Sequence, residues 1–259
     1  MTIALRFALV AGLAVATTAC GDKTADSTAA AADVSAATPT AATTAAATPA
    51  ATPGAQDWTQ VYAATPQGGF RMGNPDAKVK LVEFASLTCP HCAEFHEAAM
   101  QTIKTKYVAS GNVSYEYRNF VLNGADFAAS LLARCQGAQP FFGLLNSFYN
   151  DQAAWTEPFM NLPPEEAKRL SALPPEQQIA AMAEAGKLDA YVRARGIPRA
   201  KFDQCLADPK AQATLSALRT EASDVYKLTG TPGFIINGTT QENVYTWAAL
   251  EPKLQAALQ

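Results

Sequence analysis

Histidine is nearly absent from this chain: the 259 residues contain two, His91 and His96, which narrows the scope for metal chemistry. Charge of either sign is also scarce. Lys and Arg total 20 against 23 Asp and Glu, and a net charge of −3 argues against a surface built for nucleic acid or another polyanion. Residues 21–56 lack large aliphatic side chains apart from Val34. That stretch cannot bury enough apolar surface to offset its ordering entropy. Its alanines suggest a helix, but three Thr-Pro steps (Thr38-Pro39, Thr48-Pro49, Thr52-Pro53) argue against one. Residues 20–56 are therefore expected to form a disordered tether, partly stiffened by proline, with an end-to-end distance of roughly 30–40 Å.

The first 19 residues read as an export signal. Arg6 and the amino terminus supply positive charge, and the apolar run Phe7 to Ala16 is shorter than the ~20 residues a bilayer span needs. Two cleavage sites compete. Ala14-Val15-Ala16 fits an A-x-A site, whereas Thr17-Thr18-Ala19-Cys20-Gly21 resembles a lipobox that would leave Cys20 as a lipidated first residue. The lipoprotein reading is preferred, because an export signal otherwise has little use for a cysteine there. Its departure from the usual pattern is Thr17, where a large aliphatic residue is common. Either route leads to an oxidising compartment outside the cytoplasm, here the periplasm.

What is present is a chain 49 % apolar, enough to bury a full core in residues 57–259. Lys78 to Ala85 reads as a buried strand, Ala93 to Tyr107 as a helix and Val113 to Val121 as a second strand, together a parallel strand–helix–strand unit. Helical stripes follow, at Phe127, Leu131 and Cys135 and again at Phe141, Leu144, Leu145 and Phe148. Pro174-Pro175 and Asp208-Pro209 read as helix starts. After Thr229 the pattern predicts a strand at Phe234-Ile235-Ile236, a turn at Asn237-Gly238, a weak strand at Val244-Tyr245 and a closing helix from Trp247 to Leu258. The fold class is α/β: a mixed sheet interrupted by a helical insertion over about 124–228. No internal repeat is evident.

Four cysteines remain beyond Cys20. Cys89 and Cys92 form a CxxC pair between a strand and a helix. Free N–H groups and the positive end of the helix dipole at that position favour thiolate at Cys89, as a nucleophile for disulfide exchange requires. Cys92, one turn further in, should be the more buried, resolving thiol. Pro90 suits the first helical turn, and His91 can donate to the thiolate or stabilise its charge. A zinc half-site would need a second ligand pair, a c-type haem would need His where Ala93 stands, and an inert disulfide would not explain the strand-to-helix placement. Cys135 and Cys205 are expected to form a structural disulfide, the alternative being two buried free thiols. Glu83, in mid-strand, is costly there unless it has a task, with Lys80 a candidate charge partner.

The segment GNPDAKVKLVEFASLTCPHC, residues 73–92, resembles the DsbA-like branch of the thioredoxin superfamily. The likeness runs over residues 57–259 and includes Gly230-Thr231-Pro232. It implies a thioredoxin fold in which Cys89 attacks, Cys92 resolves, Glu83 assists proton transfer at the resolving sulfur, Pro232 is a cis-proline opposite the pair and Thr231 presents backbone to substrate. It implies a protein disulfide oxidoreductase that needs no metal or organic cofactor. Unfolded or reduced exported proteins are the expected substrates, and a DsbB-like membrane protein the expected redox partner. Thr231 stands where the best-known oxidant has Val and isomerase or reductase relatives have Thr, so isomerisation or reduction is the alternative direction. A tethered peptide-binding holdase without redox turnover is the alternative of another class.

Overall fold

The computed structural model describes residues 56–259, so the export signal, Cys20 and almost all of the tether lie outside the described residues. The chain enters through two short strands, β1 (Tyr62–Ala64) and β2 (Phe70–Met72). Strand β3 (Val79–Ala85) leads into helix α1 (Pro90–Thr102), a wide π turn over Ile103–Val108 and strand β4 (Val113–Asn119). The helical insertion follows as α2 (Gly124–Arg134), α3 (Ala138–Asn150), α4 (Gln152–Met160), α5 (Pro164–Ser171), α6 (Pro175–Ala185), α7 (Leu188–Arg193), α8 (Arg199–Leu206) and α9 (Pro209–Thr220). Strands β5 (Gly233–Ile236) and β6 (Thr239–Thr240) and helix α10 (Trp247–Leu258) complete it. The sheet order is β1-β2-β4-β3-β5-β6, with β3 and β4 parallel and the other neighbours antiparallel.

Strand β3 is apolar almost throughout because it is covered on both faces. Val79, Leu81 and Ala85 join the larger core with Tyr115, Tyr117 and the aromatic stripe of α3. Val82 and Phe84 point the other way, into a smaller cluster with Phe120, Ala222 and Ile235. Glu83 shares the first face, opposite Tyr117 in the ladder, and is 1 % exposed. Lys80 belongs to the second face, since side chains alternate along a strand, and is exposed. Lys80, the candidate charge partner, is therefore excluded; the hydroxyl of Tyr115 takes that place.

Two further expectations change. Val244-Tyr245 is not a strand. Asn237 and Gly238 both adopt positive φ (49° and 83°), which closes a two-residue hairpin at once and pairs Ile236 with Thr239 and Ile235 with Thr240. The chain beyond is released, with Val244 buried and Tyr245 50 % exposed. Strands β1 and β2, three residues each, are too short to show a pattern in the sequence. The helix after the CxxC pair begins earlier than Ala93, at Pro90, with Cys89 as its N-cap residue.

Within the insertion, Asp208 caps α9 by accepting from the amides of Lys210 and Ala211, with Pro209 in the first turn. Cys135 and Cys205 are joined in a disulfide, with Cα atoms 5.6 Å apart across a sequence separation of 70. It ties the end of α2 to α8. Replacing both cysteines by Ala should lower stability by ~2–4 kcal/mol through the longer free loop of the unfolded chain. Urea denaturation of the oxidised protein measures this, and an unchanged midpoint with an unchanged slope would remove the claim.

Candidate active site

The parallel strands β3 and β4 end side by side, and the Ser86–Cys89 turn lifts the chain from β3 into α1. Cys89 N–H donates to Ser86 O at 3.2 Å, and Thr88 N–H to Ser86 Oγ at 3.1 Å. Pro90 occupies the first turn of α1, where its missing N–H leaves no hydrogen bond unmade. Cys89 Sγ lies 3.4 Å from Thr231 O, and the Thr231-Pro232 peptide bond is cis. The two cysteines at this site are free thiols.

Their environments pull them apart. The thiol of Cys92, followed by Thr231 and the amides of Cys92 and His91, donates to Cys89 and lowers its pKa from 9.0 to about 5, against an opposing desolvation. Cys92 is fully buried, and burial together with the neighbouring charges of Cys89 and Glu83 pushes its thiol well up. One helical turn separates a sulfur stabilised as thiolate from one that holds its proton.

Glu83 lies beneath them. Burial raises its carboxyl from 4.5 to about 8, opposed by Tyr115, whose hydroxyl donates to Oε2 at 2.5 Å, and reinforced by the charge of Cys89. The His91 ring is turned outward, 74 % exposed, with Nδ1 3.0 Å from Glu94 Oε2. Glu94 chiefly raises its pKa, and the thiolate of Cys89 adds to this through space. The ring thus makes no hydrogen bond to the sulfur; His91 offers it a backbone N–H and, when protonated, a nearby charge.

Several residues at the site carry no signal that sequence inspection could use. Gln152 Nε2 donates to Leu87 O (2.8 Å) and Cys89 O (2.9 Å). Asp126 is buried and accepts from Leu87 N (3.1 Å) and Leu122 N (2.9 Å). Burial raises its pKa to about 6 despite those donors. Tyr149 OH donates to Ser86 O at 3.2 Å. Tyr115 alone had a clue, the alternation of β4 that turns it inward. Beside Thr231, a cleft of about 470 Å³ runs between α1 and the segment before α10, lined by Phe95, Ala98, Tyr245 and Trp247.

A paired thiolate and thiol at a helix N-terminus, against a cis-proline loop and over a buried acid, can exchange disulfides without any further group. The family model described as Thioredoxin matches residues 65–256, and the chain belongs to that family. A Rickettsia prowazekii protein, whose name provisionally assigns it protein-disulfide oxidoreductase activity, is 31 % identical over 172 residues, 66 % of this chain and 55 % of the relative. A Rickettsia felis protein of the same name is 28 % identical over 188 residues, 73 % of this chain and 59 % of its own. The chain thus spans between half and two thirds of these relatives' length. The protein-disulfide isomerase from Novosphingobium aromaticivorans superposes with a TM-score of 0.70 at 33 % identity, over 73 % of this chain and 96 % of that one. Wolbachia pipientis alpha-DsbA1 follows at 0.58 and 21 %, over 73 % and 89 %, a likeness of fold.

Two outcomes are expected. Iodoacetamide should alkylate Cys89 in the reduced protein with a pH midpoint near 5, and a midpoint near 8.5 would exclude the thiolate environment described. In the oxidised protein neither thiol titrates. Glu83, protonated when folded and ionised when unfolded, makes stability fall as pH rises from 4.5 towards about 8. Asp126 acts in the same sense below about 6. Glu83→Gln should therefore flatten the decline above pH 6 in urea denaturation series; an unaltered slope counts against a buried, proton-holding Glu83.

Proposed function

We propose that this protein is an exported thiol:disulfide oxidoreductase of the DsbA-like kind, which introduces disulfides into exported proteins. The observation that carries the reading is the placement of Cys89 as the N-cap residue of α1, against the cis Thr231-Pro232 bond, with Cys92 fully buried one turn later. A depressed Cys89 pKa stabilises the reduced pair relative to its disulfide, which makes the disulfide an oxidant.

In the oxidised pair, a substrate thiolate attacks Cys89 Sγ. A mixed disulfide forms there, and the Cys89–Cys92 bond breaks with its electron pair on Cys92. That sulfur is a poor leaving group as a buried anion, and Glu83, neutral at pH 7, can supply its proton. A second substrate thiolate then attacks the substrate sulfur of the mixed disulfide and releases Cys89 as thiolate. The substrate leaves with one disulfide, having given up two electrons and two protons. Thr231 backbone beside Cys89 offers an edge for an extended substrate segment, and the apolar cleft beyond it suits unfolded chains. Reoxidation would fall to a DsbB-like membrane partner. Cys20 as a lipid anchor and residues 20–56 as a tether would keep the domain near the periplasmic face of the membrane. Among the described residues no helix is long and apolar enough to cross a membrane.

Isomerisation is the second reading, favoured by Thr231 and by the name of the Novosphingobium aromaticivorans neighbour. Equilibration of the protein against glutathione distinguishes the two. A potential near −120 mV, the benchmark set by DsbA itself, supports oxidation, and one near −180 mV with turnover of scrambled substrate supports isomerisation. A potential near −270 mV, thioredoxin's, would overturn both in favour of reduction.

A further inference from the structure

The turn that presents Cys89 is held largely by side chains from outside the strand–helix–strand frame. Tyr149 OH donates to Ser86 O, Asp126 accepts from Leu87 N, Asn123 Nδ2 donates to Thr88 Oγ1 at 2.9 Å, and Gln152 Nε2 donates to Leu87 O and Cys89 O. All four lie at or beyond the start of the helical insertion. Of these, Gln152, the first residue of α4, is the one that bonds to the cysteine itself.

Three donors converge on the Cys89 carbonyl: Gln152 Nε2 at 2.9 Å and the amides of Cys92 and Ala93 at 3.2 Å each. The two amides come from α1 and would follow that helix wherever it went. Gln152 comes from another element, so it sets the peptide plane between Cys89 and Pro90 relative to the rest of the molecule. With Cys89 N–H held on Ser86 O at 3.2 Å, fixing that plane also restricts ψ of Cys89, and so the Cα–Cβ direction from which Sγ approaches the amides of His91 and Cys92. It also offsets the partial negative charge of a carbonyl oxygen close to a sulfur that carries a full one.

We propose that Gln152 is a positioning residue for the redox pair: by pinning the Cys89 carbonyl it keeps Sγ turned towards the N–H groups that open α1. This rests on the reading of Cys89 as the attacking sulfur. Through Gln152 the insertion then tunes the chemistry as well as covering the core.

The test compares Gln152→Met, which keeps the length and loses the donors, with Gln152→Glu, which keeps the shape and turns an oxygen towards two carbonyls. The alkylation midpoint of Cys89 should rise by roughly one pH unit in the first, a roughly tenfold loss of thiolate at acid pH, and further in the second. The equilibrium constant with glutathione should become less oxidising in step. A structural role alone would lower the unfolding midpoints of the oxidised and reduced forms equally and leave the alkylation midpoint unmoved, which would overturn the proposal. A measurement on the unaltered protein covers the case in which neither variant folds. The Gln152 side-chain amide resonance of the reduced protein should follow the Cys89 titration. It should lose that step in Cys89→Ala, where Glu83, His91 and Asp126 still titrate and Asp151 is still present. A resonance identical in both proteins would also overturn the proposal. If Cys89 of the unaltered protein shows no acidic midpoint, the failure belongs to the functional reading instead.

Discussion

A sulfur anion largely removed from water has to be met by donors that cannot move away, and here a helix N-terminus meets it. The His91 amide has no carbonyl partner within α1 and is free to face Cys89 Sγ, and the Cys92 amide is shared between Cys89 O and that sulfur. That requires the chain to leave β3 and enter α1 within the four residues Ser86–Cys89, and it requires the end of β3 to be immobile. Both conditions trace to the sheet. β3 is flanked by β4 and β5 and packed on both faces, so its exit point is among the most constrained in the domain.

The same geometry separates the two thiols. A residue at the N-cap meets the donors and the Thr231 backbone, while a residue one turn later faces the core beneath. Cys92 is therefore surrounded by apolar side chains and by the buried carboxyl of Glu83, and its proton is held tightly. No special residue at Cys92 is needed for this; the helical rise alone carries it out of reach of solvent. The dipeptide between them then acts locally. Pro90 costs no hydrogen bond, and His91 keeps its ring outward, paired with Glu94, so that only its backbone and charge bear on the sulfur.

Much of this is legible in the chain because it depends on local pattern. The CxxC pair, Pro90 as a first-turn residue, the apolar run of β3 and the alternation of β4 are all statements about neighbours in sequence, and the Asp208-Pro209 cap is another. What was not legible depends on register or on distant elements. Lys80 and Glu83 are three residues apart, which in a strand places them on opposite faces, so proximity in sequence misleads. Tyr115 meets Glu83 through the β3–β4 register, which no single strand shows, although the alternation of β4 turns the ring inward. Gln152 and Asp126 lie on insertion helices whose docking onto the turn no motif announces. Val244-Tyr245 has β-type composition, yet the tight Asn237-Gly238 hairpin had already found its partner in Thr239-Thr240.

The buried polar groups near the site are themselves ordered with respect to charge. Tyr115 donates to Oε2 of Glu83, so that oxygen serves as the acceptor, and in the neutral acid the proton belongs on Oε1. The hydroxyl of Tyr115 cannot give up its own proton in place of Glu83, since burial and the Glu83 charge hold its pKa well above 10.0. Tyr117 and Tyr149 bond to each other at 2.9 Å and are likewise raised. Among these buried side chains, the proton on Glu83 is the one whose acidity falls in the range where a thiol can exchange it. In the proposed mechanism that proton goes to Cys92, the sulfur whose own acidity the same removal from water suppresses.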